Sequence, residues 1–146
     1  MNILDTNGID YIFRQNLTLQ NDYFLAPDVA EEAELTQLIH GRKLPHRILE
    51  ITCHQYFDER IYFNYYNKVL NKYDGRSFYN MTGFGDVSIM ATLHMLADVF
   101  QKQRSSQLFD LTEAITVYTN DTGLASKIQN EFNNNNIHVA AVDTIR

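Results

Sequence analysis

Apolar residues in this chain fall into short runs separated by longer stretches where they recur every three or four positions. Short runs predict strands and the longer period predicts helices. The first run, Asn2 to Leu4, ends on Asp5. Ile9, Tyr11, Ile12, Phe13 and Leu17 then predict a helix opening near Asn7 or Gly8. Asp22 to Ala26 is a second short strand. Pro27 and Asp28 open the next helix, with Asp28 as N-cap and Glu31 as its capping-box partner. Val29, Leu35 and Ile39 define its apolar face; Glu32 falls within that face and Glu34 points away.

The pattern then repeats. His46 to Thr52 reads as a third strand around Ile48, Leu49 and Ile51. Phe57, Ile61, Tyr65, Val69 and Tyr73, spaced by four, predict a helix over Tyr56 to Tyr73. A turn-rich connector, Asp74 to Gly85, delivers Asp86 to a strong helix from Val87 to about Gln103. Its core stripe is Met90, Leu93, Leu96, Val99 and Phe100. Ala114 to Thr119 is the clearest strand. It ends on Asn120 and Asp121, and a helix with Leu124, Ile128 and Phe132 on its core face begins near Gly123. The asparagines 133–136 stop that helix, and Ile137 to Val142 is a last strand. No repeat or linker interrupts the alternation, so residues 1–146 read as a single domain. Strands alternating with helices imply an α/β fold with a parallel sheet and right-handed crossovers.

In such a sheet, ligands bind beyond the carboxyl ends of the strands. Asp5 and Asp121 follow strands, and Asp86 opens a helix after a glycine-rich loop. Glu32 joins them from a helix face where an unpaired carboxylate is costly. Four acids at one edge repel one another, and a divalent cation relieves the repulsion. Oxygen-only ligands suit Mg²⁺ or Mn²⁺ and not Zn²⁺. Such an ion would suit phosphodiester hydrolysis.

Charge refines this picture. The net charge of −6 is not that of a general nucleic-acid coat protein. From His40 to Asn80, however, seven bases face four acids, leaving −9 for the rest of the chain. Arg42, Lys43 and Arg47 in this basic stretch are the candidates for holding an RNA backbone. The same stretch holds nine of the eighteen Phe and Tyr, too many for one helical face. Core packing plus a dimer or partner interface accounts for them better than RNA-base stacking. Cys53, the only cysteine, reads as a small buried hydrophobe; it excludes an internal disulfide and fits a reducing compartment. The five histidines have no zinc spacing, and His94 reads as packing. The chain shows no basic leader and no apolar run near the ~20 residues that cross a bilayer. A cytoplasmic protein without membrane contact is expected.

The segments Asn2-Ile3-Leu4-Asp5-Thr6-Asn7, Ala26-Pro27-Asp28-Val29-Ala30-Glu31-Glu32, Gly85-Asp86-Val87-Ser88-Ile89-Met90-Ala91 and Thr119-Asn120-Asp121-Thr122-Gly123-Leu124 together resemble PIN-domain proteins. Closest in size are the VapC-type toxin ribonucleases of toxin-antitoxin pairs. The resemblance implies a Rossmann-like three-layer sandwich with a central parallel sheet. It implies a Mg²⁺- or Mn²⁺-dependent endoribonuclease in which Asp5, Asp86, Asp121 and Glu32 are catalytic and metal-holding acids, with Glu31 as the other register for the helix acid. Thr6, Asn7, Thr119 and Asn120 would support them. The implied reaction is attack of a metal-activated water on RNA, leaving a 5′-phosphate and a 3′-hydroxyl. RNA is then the substrate, and an antitoxin protein or a second copy the expected partner. The alternative is a catalytically weak PIN-fold module that binds protein or RNA, with Tyr62 or Tyr66 in its interface. A phosphotransferase using Asp5 as nucleophile would want Asp-x-Asp after the first strand, and the second position here is Asn7.

Overall fold

The computed structural model describes residues 1–73, 84–106, 113–133 and 136–146. Most of the connector after Tyr73 and two of the four consecutive asparagines lie outside these residues. Among them the chain runs β1 (Asn2–Leu4), α1 (Thr6–Gln15), β2 (Tyr23–Leu25), α2 (Pro27–His40), β3 (Ile48–Glu50), α3 (Glu59–Lys72), α4 (Gly85–Ser106), β4 (Ile115–Tyr118), α5 (Thr122–Glu131) and β5 (Ile137–Ala140). All five strands are parallel, in the order β3-β2-β1-β4-β5. Helices flank the sheet in a Rossmann-like three-layer sandwich, as expected.

The strands are short and apolar because the sheet is covered. Ile3 and Leu4 of β1, Leu25 of β2 and Val117 of β4 are almost fully buried, the composition of a parallel sheet with both faces packed. Ile3 pairs with Phe24 on one side and Val117 on the other. The central strand β1 is therefore where the order turns back, with β2 to one side and β4 to the other. The crevice beyond the carboxyl ends of β1 and β4 is the switch point where α/β folds bind ligands.

Helix starts and stops follow local chemistry. Asp5 caps α1, accepting from the Thr6 N–H, so this helix opens a residue or two earlier than its apolar spacing suggested. Asp58 caps α3 and Asp121 caps α5. Helix α2 starts differently: Ala26 occupies the cap position and Pro27 the first turn, so Asp28 is not the N-cap. Gly41 ends it in the left-handed region at φ 61, where a side chain would be strained.

Three expectations about packing change. Helix α2 buries Val29, Ala33 and Thr36 and leaves Leu35, Leu38 and Ile39 outside. Val29, Leu35 and Ile39 therefore do not share a core face, although Glu32 does lie beside the buried one. Helix α4 is buried from Val87 through Leu93, including Ser88 and Thr92, instead of on one stripe. Its amino-terminal half packs against both α2 and α3, which is why no side of that half faces solvent. Cys53 sits exposed in a 3₁₀ turn, Ile51–Cys53, that cuts the third strand short.

The aromatic helix α3 packs on α4. Tyr62 is buried and its hydroxyl meets Ser88 Oγ at 2.7 Å; Tyr66 donates to Asp28 Oδ2 at 2.7 Å. Tyr65 stacks on His94, whose ring nitrogen lies 2.7 Å from Glu131. Tyr62 is therefore internal packing and Tyr66 is tied to Asp28, while Phe63 on the same helix is exposed; His94 packs between Tyr65 and Phe132. No helix among the described residues is long and apolar enough to cross a membrane.

Candidate functional site

The crevice beyond β1 and β4 collects the acids. Asp5 leaves the end of β1 and is buried to 6% exposure. Its Oδ1 accepts from the Thr6 N–H at 2.7 Å; Oδ2 accepts from Asn7 Nδ2 at 3.0 Å and from the Thr119 hydroxyl at 2.7 Å. Burial raises the Asp5 pKa above the ordinary carboxylate value. The Thr119 and Thr6 donors pull it back, while Asp121 and Glu32 push it up further.

Thr119 links the two strand ends. Its oxygen also accepts from the Asp121 N–H at 3.0 Å, so one buried hydroxyl sets Asp5 and the turn into α5 together. Asp121 Oδ1 in turn accepts from the Leu124 N–H at 3.0 Å. Asn120 closes the loop: its N–H reaches Asn7 Oδ1 at 3.3 Å, and its own Oδ1 takes the Val142 N–H at 3.2 Å. The supporting residues Thr6, Asn7, Thr119 and Asn120 are all brought to this edge.

Glu32 arrives from the second turn of α2. Thr6 Oγ1 donates to Glu32 Oε2. The carboxylate lies against Gly85, where a Cβ would meet it at 3.0 to 3.3 Å. Glu31, by contrast, is exposed, so Glu32 is the helix acid at the crevice. Two hydrogen bonds that the sequence did not foreshadow fix this approach of α2 to α4. The Asp28 N–H donates to Ser88 Oγ at 3.1 Å, and Tyr62 meets the same oxygen from α3.

Asp86 is the outlier. It lies inside the first turn of α4, so it is not that helix's N-cap. It is 6% exposed, and its Oδ2 is buried with no hydrogen-bond partner. Burial, then the charges of Asp5, Asp121 and Glu32, push its pKa up to about 8; Lys127 acts in the opposite direction. The four acids therefore sense one another's charge. Lys127 was missed in the sequence. It follows Gly123 by four residues on α5, and such residues share a helix face. A Cβ on Gly123 would lie 3.2 Å from Asp121 Oδ1 and 3.9 Å from Lys127 Nζ.

The basic trio does not come here. Helix α2 returns from the carboxyl edge of the parallel sheet to the amino edge. Arg42 and Lys43, just past its end, and Arg47, just before β3, lie on the opposite edge from the acids. Arg47 pairs with Asp22 at 2.9 Å, and Arg42 donates to the Phe13 carbonyl at 3.3 Å.

Among the described residues, no group of three or more His, Cys, Asp and Glu side chains is arranged to hold a metal ion as it stands. Asp5, Glu32 and Asp121 are each engaged by protein donors. Asp86 Oδ2 is a buried carboxyl oxygen that no donor satisfies. In a native interior such a group needs an ion, a water or a proton. The donor set, carboxylate and hydroxyl oxygens only, fits Mg²⁺ or Mn²⁺. Comparison with family models, with curated proteins and with solved structures returns no match.

Proposed function

We propose that this chain is a Mg²⁺- or Mn²⁺-dependent endoribonuclease of the PIN-like kind, working at the crevice beyond β1 and β4. The observation that carries the reading is Asp86: a buried carboxylate with an unsatisfied oxygen, held among three further acids. The expense of assembling those like charges is hard to explain without a cation to offset them. Asp5, Asp86 and Asp121 would hold the ion, with Glu32 on its α2 side. When bound, the ion supplies Lewis acidity that activates water and stabilises charge on the attacked phosphodiester.

The chain's own groups prepare that chemistry. Thr119 keeps one Asp5 oxygen aimed and the Asp121 turn fixed. Thr6 holds Glu32 at the rim. Lys127 adds a positive charge at an edge that is otherwise acidic, where a phosphate can approach. RNA as substrate, and an antitoxin protein as partner, rest on the resemblance of the four segments to VapC-type toxins. Against the competing reading, a protein- or RNA-binding module built on the aromatic helix, Tyr62 is buried and Tyr66 is bonded to Asp28; Phe63 of the same helix is exposed.

The test is cleavage of mixed cellular RNA with Mg²⁺, with Mn²⁺ and with EDTA, beside Asp121→Asn. Asparagine caps a helix about as well as aspartate, so this variant should keep its melting temperature while losing activity. Cleavage with either metal, abolished by EDTA and by the substitution, is the expected result. A folded wild type that neither cleaves nor binds Mn²⁺ would overturn the proposal.

Gly85→Ala probes the approach of Glu32. The new methyl group would crowd that carboxylate at 3.0 to 3.3 Å and turn it from Thr6. Because the crowded atoms belong to a side chain, stability should move by less than about 1.5 kcal/mol. Activity should fall by roughly 10-fold or more, since small misplacements at a site are costly. Full activity in this variant would remove Glu32 from the site.

A further inference from the structure

Helix α4 breaks a capping rule that the chain keeps at three other helices. Asp5, Asp58 and Asp121 cap α1, α3 and α5 with their carboxylates. The first bond of α4 runs from the Ser88 N–H to the Phe84 carbonyl at 2.9 Å, which puts Phe84 at the cap position. A phenyl ring accepts nothing from the open N–H groups there, and an apolar residue at a cap costs stability. The residue is also 61% exposed, so burial does not recover that cost. Local rules are broken in this way where function requires it.

The place of Phe84 says which function. Its Cα is one trans peptide, ~3.8 Å, from that of Gly85. Gly85 lies against Glu32, which a Cβ there would meet at 3.0 Å, and Asp86 comes next. Phe84 thus adjoins the Glu32 end of the acidic crevice. Lys127 stands at the Asp121 end, with its Nζ 3.9 Å from the point where a Gly123 Cβ would lie 3.2 Å from Asp121 Oδ1. The Tyr73 ring, centred 5.7 Å from that ammonium, helps to hold it there. The Tyr73 hydroxyl is in turn fixed on Glu131. An aromatic face and a cation are the two parts from which sites for single-stranded nucleic acid are built, and here they flank the acids.

We infer that the crevice takes an unpaired nucleotide, with its base stacked on Phe84 and a phosphate of the same strand on Lys127. The inference rests on the ribonuclease reading and adds which RNA that site accepts. A base can lie on an aromatic ring only when it is splayed out of a helix. Cleavage is therefore confined to loops, bulges and tails, and a duplex is refused. Stacking tolerates any base, so Phe84 selects for strandedness and not for sequence. A protein docking on Phe84 would have no use for a cation across the crevice, whereas a polyanion has.

The chain contains no tryptophan, so Phe84→Trp introduces a single reporter for the test. Its fluorescence is followed as a single-stranded oligoribonucleotide, or a duplex of the same sequence, is added. Ca²⁺, which also takes oxygen ligands, replaces Mg²⁺, and strand integrity is checked on a gel. The single strand should quench the indole and the duplex should not. Affinity of a labelled single strand over a salt series then separates the two contacts. Phe84→Ala should weaken binding about 10-fold, the scale of one stacked base, with the salt slope unchanged. Lys127→Gln should weaken binding and reduce the slope by about 0.7, the share of one phosphate on a single strand. Lys127→Arg should restore both. Circular dichroism checks the fold of each variant; Phe84→Trp and Lys127→Arg, which keep ring and charge, carry the test if a truncated variant fails to fold. An indole unchanged by the single strand, or quenched equally by the duplex, would overturn the stacking, as would wild-type affinity in Phe84→Ala. An unchanged salt slope in Lys127→Gln would overturn the phosphate contact. Failure of the ribonuclease reading looks different: quenching and slopes as expected, without cleavage in Mg²⁺ or Mn²⁺, would keep this site and remove the nuclease.

Discussion

Asp5→Asn should slow RNA cleavage by at least about 100-fold, the scale for loss of one preorganised electrostatic group at a reacting centre. It should also lower the melting temperature by a few degrees. The two effects have separate origins. Activity falls because a carboxylate is lost from the switch-point crevice. Stability falls because both Asp5 oxygens are acceptors, with Thr6 N–H on one and Asn7 and Thr119 on the other. An asparagine amide sets N–H groups against at least one of these donors. A buried donor left unsatisfied costs about 1–3 kcal/mol, partly offset by relief of repulsion from Asp121 and Glu32. Parallel measurement of cleavage with Mn²⁺ and of thermal unfolding in EDTA tests both. Wild-type cleavage by the variant would remove the proposed active site.

Asp5 and Asp121 were legible in the sequence because each falls where an apolar run gives way to a helical period. That the acids themselves cap those helices came only with the structure. Position in a parallel sheet then follows from topology. The parallel sheet was legible from alternating periods; the order of its strands, with β1 central, was not. The outward face of α2 was not. Its leucines and isoleucine mark a helix face by period, but period alone does not say which side meets the core, and here the smaller residues Val29, Ala33 and Thr36 do. Glu32 was placed correctly beside a face whose apolar members were misidentified. Strand lengths were overread at His46 to Thr52 and Ile137 to Val142, where 3₁₀ turns take the last residues.

The remaining differences are tertiary. Ser88 joins α2 and α3 to α4 through a single oxygen, and nothing near it in sequence signals that. Lys127 acts on Asp86 across two helices. The basic trio shows a different kind of gap. That residues after α2 must emerge at the amino edge follows from a parallel sheet, so Arg42, Lys43 and Arg47 were separable from the acids once β1, β2 and β3 had been recognised.

Asp86→Asn should do what Asp5→Asn does to activity and the opposite to stability. Burial and three neighbouring acids raise the Asp86 pKa to about 8 in the folded chain, against an ordinary value of 3.8. A folded-state pKa above the unfolded one means that the native state binds more protons over that interval. Stability then falls as pH rises. The contribution of Asp86 to metal-free stability is therefore complete below about pH 4 and is lost progressively as pH climbs through about 8. An asparagine carries no charge at any pH, and its N–H groups can turn toward the surrounding carboxylates. In EDTA at pH 8 the variant should be more stable than wild type by about 1–3 kcal/mol, the scale of one unsatisfied buried group. Its melting temperature should also change less between pH 5 and pH 8. Mn²⁺ should raise the wild-type melting temperature at pH 8, since a ligand that binds only the folded state stabilises it, and should raise that of the variant far less. Thermal unfolding of both proteins at the two pH values, with and without Mn²⁺, decides the matter. A variant less stable than wild type at pH 8, with an unchanged pH slope, would mean that Asp86 has a partner in solution other than a cation. The case for a metal-dependent nuclease would then lose the observation on which it stands.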